Sequence, residues 1–355
     1  MTSKRIAVAM SGGVDSSITA YILKNQGHDV FGVTMLLSQY GHKAVDTARE
    51  VAGKLDIPHH IIDLSELFNE RIVTQFCNEY SLGKTPNPCI FCNFYIKFGA
   101  LLDKAKELGA DFLATGHYAR IDQIPTGFRL LKGFDPTKDQ SYFLYRLGQE
   151  QLKHILMPLG SLTKGEVKKM ARQSGIDSLI GHESQDVCFI PYNNHDGFIK
   201  EHVKTQPGDI VDTDGKVIGQ HKGLAYYTIG QRQGLGLSST GRRYIIKLDA
   251  ANNRIMLGNC EQLFSGRLIA DKLNWLSGNA PDCAGKITAK VRYKSPESAV
   301  RLKLLGNSCE VEFEQPQWAV APGQSIVFYH GEETLGGGII ESSESLERNK
   351  LENPV

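Results

Sequence analysis

The stretch Ile6-Ala7-Val8-Ala9-Met10-Ser11-Gly12-Gly13-Val14-Asp15-Ser16 decides the fold class of this chain. Its first five residues are apolar and have the length of a buried strand. The following Ser17-Ile18-Thr19-Ala20-Tyr21-Ile22-Leu23-Lys24 reads as a helix. The small residues between them let the backbone approach a ligand and leave N–H groups free to face it. A helix N-terminus adds unpaired donors and partial positive charge. A lone Gly-Gly would be no more than a turn packing strand on helix. The whole string in this setting describes a pyrophosphate cradle. No Lys-Ser/Thr pair follows the glycines, so it is not the Walker form of phosphate loop.

Working outward, strands and helices alternate. Asp29–Leu37 reads as a second strand, and Lys43–Leu55 as a helix with Val45, Ala48, Val51, Ala52 and Leu55 on one side. His59–Leu64 reads as a third strand. Ser65 is expected to cap a helix reaching about Leu82, with Phe68, Ile72, Phe76 and Tyr80 at helical spacing. Asn93–Leu108 reads as another helix and Asp111–Arg120 as another strand. That order predicts a parallel sheet covered on both faces, with its ligand at the carboxyl ends of the strands. The Ser-Gly-Gly-Val-Asp-Ser string resembles the PP-loop of ATP pyrophosphatases (adenine nucleotide alpha hydrolase-like). Those enzymes adenylate a substrate oxygen and release pyrophosphate.

A hairpin-like stretch follows at Phe128–Gly133. Two helices come next, one near Gly148–Ile155 and one begun by the capping box Thr163-Lys164-Gly165-Glu166. A polar loop, Gly181–Asp186, leads into Val187-Cys188-Phe189-Ile190-Pro191. From about Gln206 short strands alternate with turn signals at Asp214-Gly215, Asn252-Asn253, Gly306-Asn307 and His330-Gly331. The expectation is a small β-rich central domain and a closing C-terminal β-barrel. The expected division is 1–196 for the catalytic domain, 197–258 for the central domain and 259–345 for the barrel. The tail from Ser342 is polar and expected to fray, with 346–355 left outside the barrel as a frayed end.

The bulk numbers exclude some classes. A chain of 355 residues is too long for one ordinary core. With 41% hydrophobic and 22% charged residues it has a globular composition. No apolar run reaches membrane-spanning length, and Met1-Thr2-Ser3-Lys4-Arg5 begins no signal peptide, so a cytoplasmic enzyme without a membrane partner is expected. Net charge is +1, which by itself suggests no polyanionic partner. Charge distribution says more. Lys216–Arg254 holds seven basic residues against one acidic, and Lys286–Lys303 six against one. On charge alone, a phosphate-backbone surface and a solvated strand face fit equally well.

Seven cysteines make a disulfide framework improbable for a cytosolic chain. Cys77, Cys260, Cys283 and Cys309 sit alone, as small buried hydrophobes or chance surface thiols. Cys89, Cys92 and Cys188 differ. Gly83-Lys84-Thr85-Pro86-Asn87-Pro88-Cys89-Ile90-Phe91-Cys92-Asn93 carries stiffening prolines and then a Cys-x-x-Cys. Cys92 is expected at the start of the Asn93–Leu108 helix, where the dipole would favour thiolate. Three readings stand side by side: a catalytic pair Cys92 and Cys188 carrying persulfide sulfur, an iron–sulfur cluster on Cys89, Cys92 and Cys188, or inert core thiols. Zinc would want a fourth ligand, and none is adjacent.

Further strings tie the chain to one family. They are Thr-Pro-Asn-Pro-x-x-x-Cys-Asn at 85–93, Ala-Thr-Gly-His-Tyr at 114–118, Lys-Asp-Gln-Ser-Tyr-Phe-Leu at 138–144 and Asp-Val-Cys-Phe-Ile at 186–190. Tyr-Thr-Ile-Gly-Gln-Arg-Gln-Gly-Leu-Gly at 227–236 and Pro-Gly-Gln-Ser at 322–325 complete the set. In this order, from Ile6 to about Glu341, they resemble the tRNA-specific 2-thiouridylase family (MnmA/TrmU). The resemblance implies that ATP adenylates the C2 oxygen of wobble uridine 34 in the tRNA anticodon stem-loop, and that sulfur then displaces AMP. It implies ATP contacts from Ala9, Met10, Ser11, Gly12, Gly13, Val14, Asp15, Ser16, Met35 and Gly116. It implies a persulfide on Cys188 and Cys92 as partner nucleophile or disulfide mate. It implies that Asn87, Pro88 and Cys89 touch the target base, and that His117, Lys138, Asp139, Gln140, Arg292, Tyr293 and Gln324 contact tRNA. Magnesium would neutralise the triphosphate, with Asp15 orienting metal or nucleotide. A wobble base is unpaired and can be turned into a pocket without breaking a duplex.

The chain departs from the family pattern twice. Cys89 stands where members commonly have Asp. That change creates the pattern of iron–sulfur-dependent tRNA thiolation enzymes and puts a 4Fe–4S cluster level with the persulfide route. Leu36–Gly41 leaves little room for an insertion common at that point, so docking of the persulfide or sulfide donor protein is expected to differ. A monomer is expected. The alternatives are another PP-loop ATP pyrophosphatase, such as an amide-forming synthetase, and a silent RNA-binding protein that keeps the fold. Away from the motifs, His59 and His60 read as structural, and Tyr226-Tyr227 as β packing.

Overall fold

The computed structural model describes residues 3–38, 42–177, 187–190, 194–236, 242–281 and 286–345. The N-terminal half starts with β1 (Arg5–Ala9), α1 (Val14–Asn25), β2 (Asp29–Leu36), α2 (His42–Lys54) and β3 (His59–Asp63). Two long helical runs follow, 65–81 and 88–107, then β4 (Phe112–Ala114). A hairpin of β5 (Ala119–Ile124) and β6 (Gly127–Lys132) precedes β7 (Ile155–Leu156). β3, β2, β1, β4 and β7 form the expected parallel sheet, in that order. Alternation along β1 sorts the core. Ile6 and Val8 face the cluster under α1 and α2, while Ala7 faces the one under the two long runs.

Several local expectations are corrected. The Asp111–Arg120 strand is two strands in different sheets, because the chain turns away at Thr115-Gly116-His117-Tyr118. The helix expected near Gly148–Ile155 is shorter, Gln149–Leu152, and the stretch ends on β7 at Ile155. Ser65 does not cap its helix by itself. Asp63 Oδ1 accepts from the Ser65 N–H at 2.9 Å and from its hydroxyl at 2.6 Å. The capping box at Thr163 forms as written, with Thr163 N–H donating to Glu166 Oε2 at 2.7 Å and Glu166 N–H to Thr163 Oγ1 at 3.2 Å. The largest correction concerns the second long run. It begins at Pro88, capped by Asn87 Oδ1, which accepts from Cys89 N–H at 3.2 Å. Turns 69–73 and 92–100 widen to π geometry, a form often found at functional sites.

The β-rich remainder holds two assemblies. β8 (Gly208–Val211), β9 (Val217–His221), β10 (Tyr244–Asp249) and β11 (Arg254–Gly258) make a small sheet in the order β10-β11-β8-β9. β12 (Phe264–Trp275), β13 (Ile287–Lys290), β14 (Ser298–Leu305), β15 (Ser308–Trp318), β16 (Ser325–His330) and β17 (Glu333–Ser345) follow. The β12–β17 pairing closes these six into a barrel around Leu268, Val311, Ile326, Phe328 and Ile340. The β5–β6 hairpin joins the barrel sheet through Glu333↔Leu131 and Thr334↔Leu130, so the N-terminal half and the barrel share one sheet. Residues 342–345, expected to fray, are strand paired to β12. The tail 346–355, the loop 181–186 and Cys283 lie outside the described residues. No described helix is long and apolar enough to cross a membrane.

Candidate active site at the carboxyl edge of the parallel sheet

The loop after β1 is set by backbone geometry. Gly12 has φ +72°, and a Cβ there would lie 2.9 Å from the Ala44 carbonyl oxygen. Gly13 caps α1 in an extended conformation with no side-chain cap bond, so no side chain takes the first amides of α1. The hydroxyls stiffen the turn: Ser16 and Ser17 donate to Gly13 O at 3.1 and 2.8 Å, and Ser11 N–H donates to Ser16 Oγ at 3.1 Å. Ala9 and Met10 lead into the loop from β1, Val14 opens α1, and Met35 lies near the end of β2. Asp15 is engaged. Lys164 Nζ lies 2.8 Å from each of its carboxylate oxygens, and Tyr118 Oη donates at 2.8 Å.

Thr115-Gly116-His117 packs against this loop. A Cβ on Gly116 would come within 2.8 to 2.9 Å of Asp15 and Ser16, so the turn presses on the start of α1. The next residue, His117, is buried, and its Nδ1 is 2.8 Å from Thr115 Oγ1. Burial first, and then the charge of Lys97, hold its imidazole well below the usual histidine range. Lys97 is half-buried and also acts on all three thiols.

The three thiols share one neighbourhood but not one environment. Cys92 is 7% exposed and packs in the core with Phe68, Ile96 and Leu113. Burial pushes its thiol up to about 12, against the partial relief from Lys97. This corrects the expected thiolate at a helix start, because Pro88 begins the helix and leaves Cys92 in its second turn. Cys89, in the first turn, and Cys188 reach solvent. Both are still walled by protein on most sides, and desolvation raises both thiols. Phe189 anchors Cys188: its ring meets Phe76, Phe198 and Phe68 at 5.2, 5.4 and 5.7 Å. Among the described residues no three His, Cys, Asp or Glu side chains converge to hold a metal ion. The three thiols, one sunk in the core, do not make the three-cornered thiolate set that a cluster needs.

The loop before Cys89 is where the β domains dock. Thr85 N–H donates to Pro322 O at 2.9 Å, and Gln324 Nε2 donates to Thr85 O at 2.7 Å. Thr85 Oγ1 is 3.3 Å from Thr228 Oγ1 of the central domain. Several residues expected at tRNA are engaged internally. Asp139 is buried, accepting from Gly133 N–H, Ser141 N–H and Ser141 Oγ. Gln140 Oε1 accepts from Tyr118 N–H at 3.0 Å, and Lys138 sits beside them, half-buried. Arg292 donates to Ala319 O and lies over the Trp318 ring, while Tyr293 packs on Phe143 at 4.5 Å. Lys222 and Lys303 are paired with Asp196 and Glu310, so the basic stretches carry less free charge than their composition suggests.

Residues 4–192 match a family described as tRNA methyl transferase HUP domain. Residues 196–259 match its PRC-barrel domain, and 265–340 an aminomethyltransferase beta-barrel domain. Among curated relatives, tRNA-specific 2-thiouridylase MnmA 1 of Caldanaerobacter subterraneus subsp. tengcongensis is 47% identical, covering 96% of this chain and 98% of its own. The tRNA-specific 2-thiouridylase MnmA of Halothermothrix orenii is 45% identical over 96% of this chain and 99% of its own. The chain belongs to the MnmA family. A solved 4-thiouridine synthetase–RNA complex with bound ATP resembles it at TM-score 0.37 and 18% identity, over 57% of this chain and 46% of that one, too low a likeness to carry an argument.

Two residues of this MnmA-family site escaped the sequence reading. Lys164 was seen only as part of a capping box, although a lysine at the first turn of a helix, against the dipole, is a signal that its charge is used elsewhere. Lys97 gave no signal, because its importance rests on the widened turn that sets it near Cys89, Cys92 and Cys188.

Proposed function

We propose that this chain is an ATP-dependent tRNA uridine 2-sulfurtransferase acting on wobble uridine 34. The observation that carries the reading is the Thr115-Gly116-His117 turn, which presses on the start of α1 with one residue and, with the next, feels the charge of the same Lys97 that acts on the three thiols. Adenylation and sulfur delivery thereby share one edge of one sheet.

ATP binds along Ala9–Ser16 with Met35 and Gly116 beside it, and the open amides of α1 take phosphate oxygens. Magnesium, when present, is held mainly by phosphates and supplies charge neutralisation. Asp15 is the carboxylate at this loop that would reach it, by exchanging its bond to Lys164. The neutral His117 and the Asn87-Pro88-Cys89 turn position the base. The uridine C2 oxygen attacks the α-phosphorus, pyrophosphate leaves, and the carbonyl becomes a good leaving group. The terminal sulfur of a persulfide on Cys188 then attacks C2 and AMP departs; a second thiol, Cys92 in the family's pattern, attacks Cys188 Sγ, so that the S–S bond breaks, the sulfur stays on the base and the two cysteines are left as a disulfide for a thiol reductant to reopen. The basic residues of the β domains hold the RNA backbone, with Arg292, Tyr293 and Gln324 fixing the loops beneath it. The protein works as a cytoplasmic monomer that receives sulfur from a donor protein.

The test is pyrophosphate exchange into ATP with unmodified tRNA transcript, together with mass analysis of the nucleosides formed. Exchange that needs tRNA, and a 2-thiouridine product, are expected. Absence of exchange with every tRNA tried, or exchange driven by a small acid without RNA, would sink the proposal in favour of a silent binder or an amide-forming synthetase.

A further inference from the structure

We propose that the Trp318 indole is a stacking platform for an unpaired nucleobase of the tRNA beside the uridine that reacts, and that Arg292 holds this platform in place. The inference rests on the tRNA reading above and concerns how the loop around the target base is gripped.

A single exposed apolar residue is ordinary on a protein surface. Trp318, 40% exposed at the end of β15, is held too firmly to be one of these. The Arg292 guanidinium lies over the indole, its carbon 5.3 Å from the ring centroid. The same guanidinium donates to the Trp318 carbonyl at 3.4 Å and to Ala319 O, so one side chain fixes both ring and backbone. Gly230, at φ +89°, closes on the outer edge of the ring: a Cβ there would lie 3.1 Å from Trp318 Cη2 and 2.8 Å from Ala319 Cβ. The indole is clamped, yet much of it stays in water.

The segments that meet at Trp318 are the ones that also reach the Pro-Asn-Pro loop and the helix after it. Thr228, two residues before Gly230, has its Oγ1 3.3 Å from Thr85 Oγ1. Pro322, four residues after Trp318, accepts from Thr85 N–H at 2.9 Å. Tyr293, next to Arg292, packs on Phe143, whose carbonyl accepts from Asn93 Nδ2 at 3.1 Å. A base on Trp318 is therefore a neighbour of the target base, not the target itself.

Charge selects the kind of partner. Arg232 and Lys294, each two residues from a residue that clamps the indole, are exposed. A nucleotide supplies a flat face for the ring and a phosphate for the cations. An apolar protein patch would have to desolvate those cations without pairing them. Bases in a duplex are stacked on one another, whereas an unpaired loop base is free to leave its neighbours. Stacking accepts any base, so Trp318 holds the loop without reading it. Arg292, expected at tRNA but engaged within the protein, then acts through Trp318 as a positioning residue.

The chain has two tryptophans, and the other, Trp275, stacks on Phe328 at 5.5 Å in the barrel. Tryptophan emission of the full-length protein is followed as unmodified tRNA transcript is added, and filter binding at the same salt gives Kd. Quenching that saturates with binding is expected in the wild type and should be absent in W318F. W318L should raise Kd about tenfold, and W318F, which keeps a ring, by no more than about threefold. R292A should raise Kd by a factor close to that of W318L, and the double variant should bind no more weakly than W318L alone. A duplex of the anticodon stem without its loop should leave the emission unchanged. Equal binding of transcript by wild type and W318L, without quenching, would overturn the inference, assign the ring to a protein contact and leave the tRNA reading standing. Quenching by the loopless duplex as strong as by the transcript would overturn base stacking in favour of a backbone contact. Additive losses from W318L and R292A would overturn the part given to Arg292; the two Trp318 variants still decide the platform if R292A does not fold. No binding of any transcript by the wild type would sink the tRNA reading along with it.

Discussion

The glycine loop after β1, proposed to hold the nucleotide, and the cysteine neighbourhood, proposed to deliver sulfur, are built from different material. The nucleotide end is backbone: Gly12 at positive φ, Gly13 capping α1, Gly116 pressed against Asp15 and Ser16. The cysteine end is side chain: three thiols sorted by burial, a half-buried lysine and a buried histidine brought from separate elements. A backbone site is specified by a short contiguous string, because it needs only residues that can adopt the turn. A side-chain site depends on which thiol the packing leaves reachable.

The sharpest way to break this contrast is G12A. A residue with φ +72° and a Cβ 2.9 Å from Ala44 O costs about 1–3 kcal/mol of strain placed directly on the phosphate loop. A loss on the order of 100-fold in tRNA-dependent pyrophosphate exchange is expected, roughly the scale of removing a preorganised anion donor. Sulfide release from loaded Cys188 should stay at its wild-type rate. Loss of both would mean the two ends are not separable.

F189A tests the other end. Removing a ring that meets Phe68, Phe76 and Phe198 should destabilise the protein by about 1–3 kcal/mol in denaturant titration. It should also free the Cys188 segment, so that sulfide release falls more than exchange does. An equal fall in both would assign Phe189 a purely structural part.

Q324A removes a bond from the barrel to Thr85, worth about 1 kcal/mol. A fivefold rise in the tRNA concentration needed for half-maximal thiolation is expected, with polysulfide-driven sulfide release unchanged. The reverse pattern would place the barrel's influence on the cysteines and not on RNA.

The smallest effect is electrostatic. Lys97 lowers the thiols of Cys89, Cys92 and Cys188 against the rise that burial imposes. K97M removes only the lowering, so at any given pH less thiolate is present, and the pH profile for alkylation of Cys89 and Cys188 should move to higher pH. K97R should restore it. In the wild type Cys92, pushed up to about 12, should stay unalkylated at pH 8.5 until the protein is unfolded. Rapid native alkylation of Cys92 would show that the core opens.

Much of the fold around the proposed site is legible in the sequence. The string 6–16 placed the phosphate loop on a strand–turn–helix, and the alternation that followed placed it on a parallel sheet. Periodicity and turn chemistry are local, so a local reading reaches them. The start of the second long run was misplaced because Pro88, read as stiffening a loop, is also well suited to the first helical position. That single shift moved Cys92 from a helix start into the core. The separation of β5 from β4 comes from pairing, since β5 follows β6 into the barrel sheet.

By itself, then, the sequence determined a strand–glycine turn–helix, a Cys-x-x-Cys with one distant cysteine, and β domains to follow. Folding alone decided which cysteines face water, which cation acts on the thiols, and that Thr85 ties the cysteine loop to both β domains. Those outcomes depend on burial and on contacts between residues far apart in the chain. Neither quantity belongs to a residue or its immediate neighbours; both exist only once distant segments have packed together.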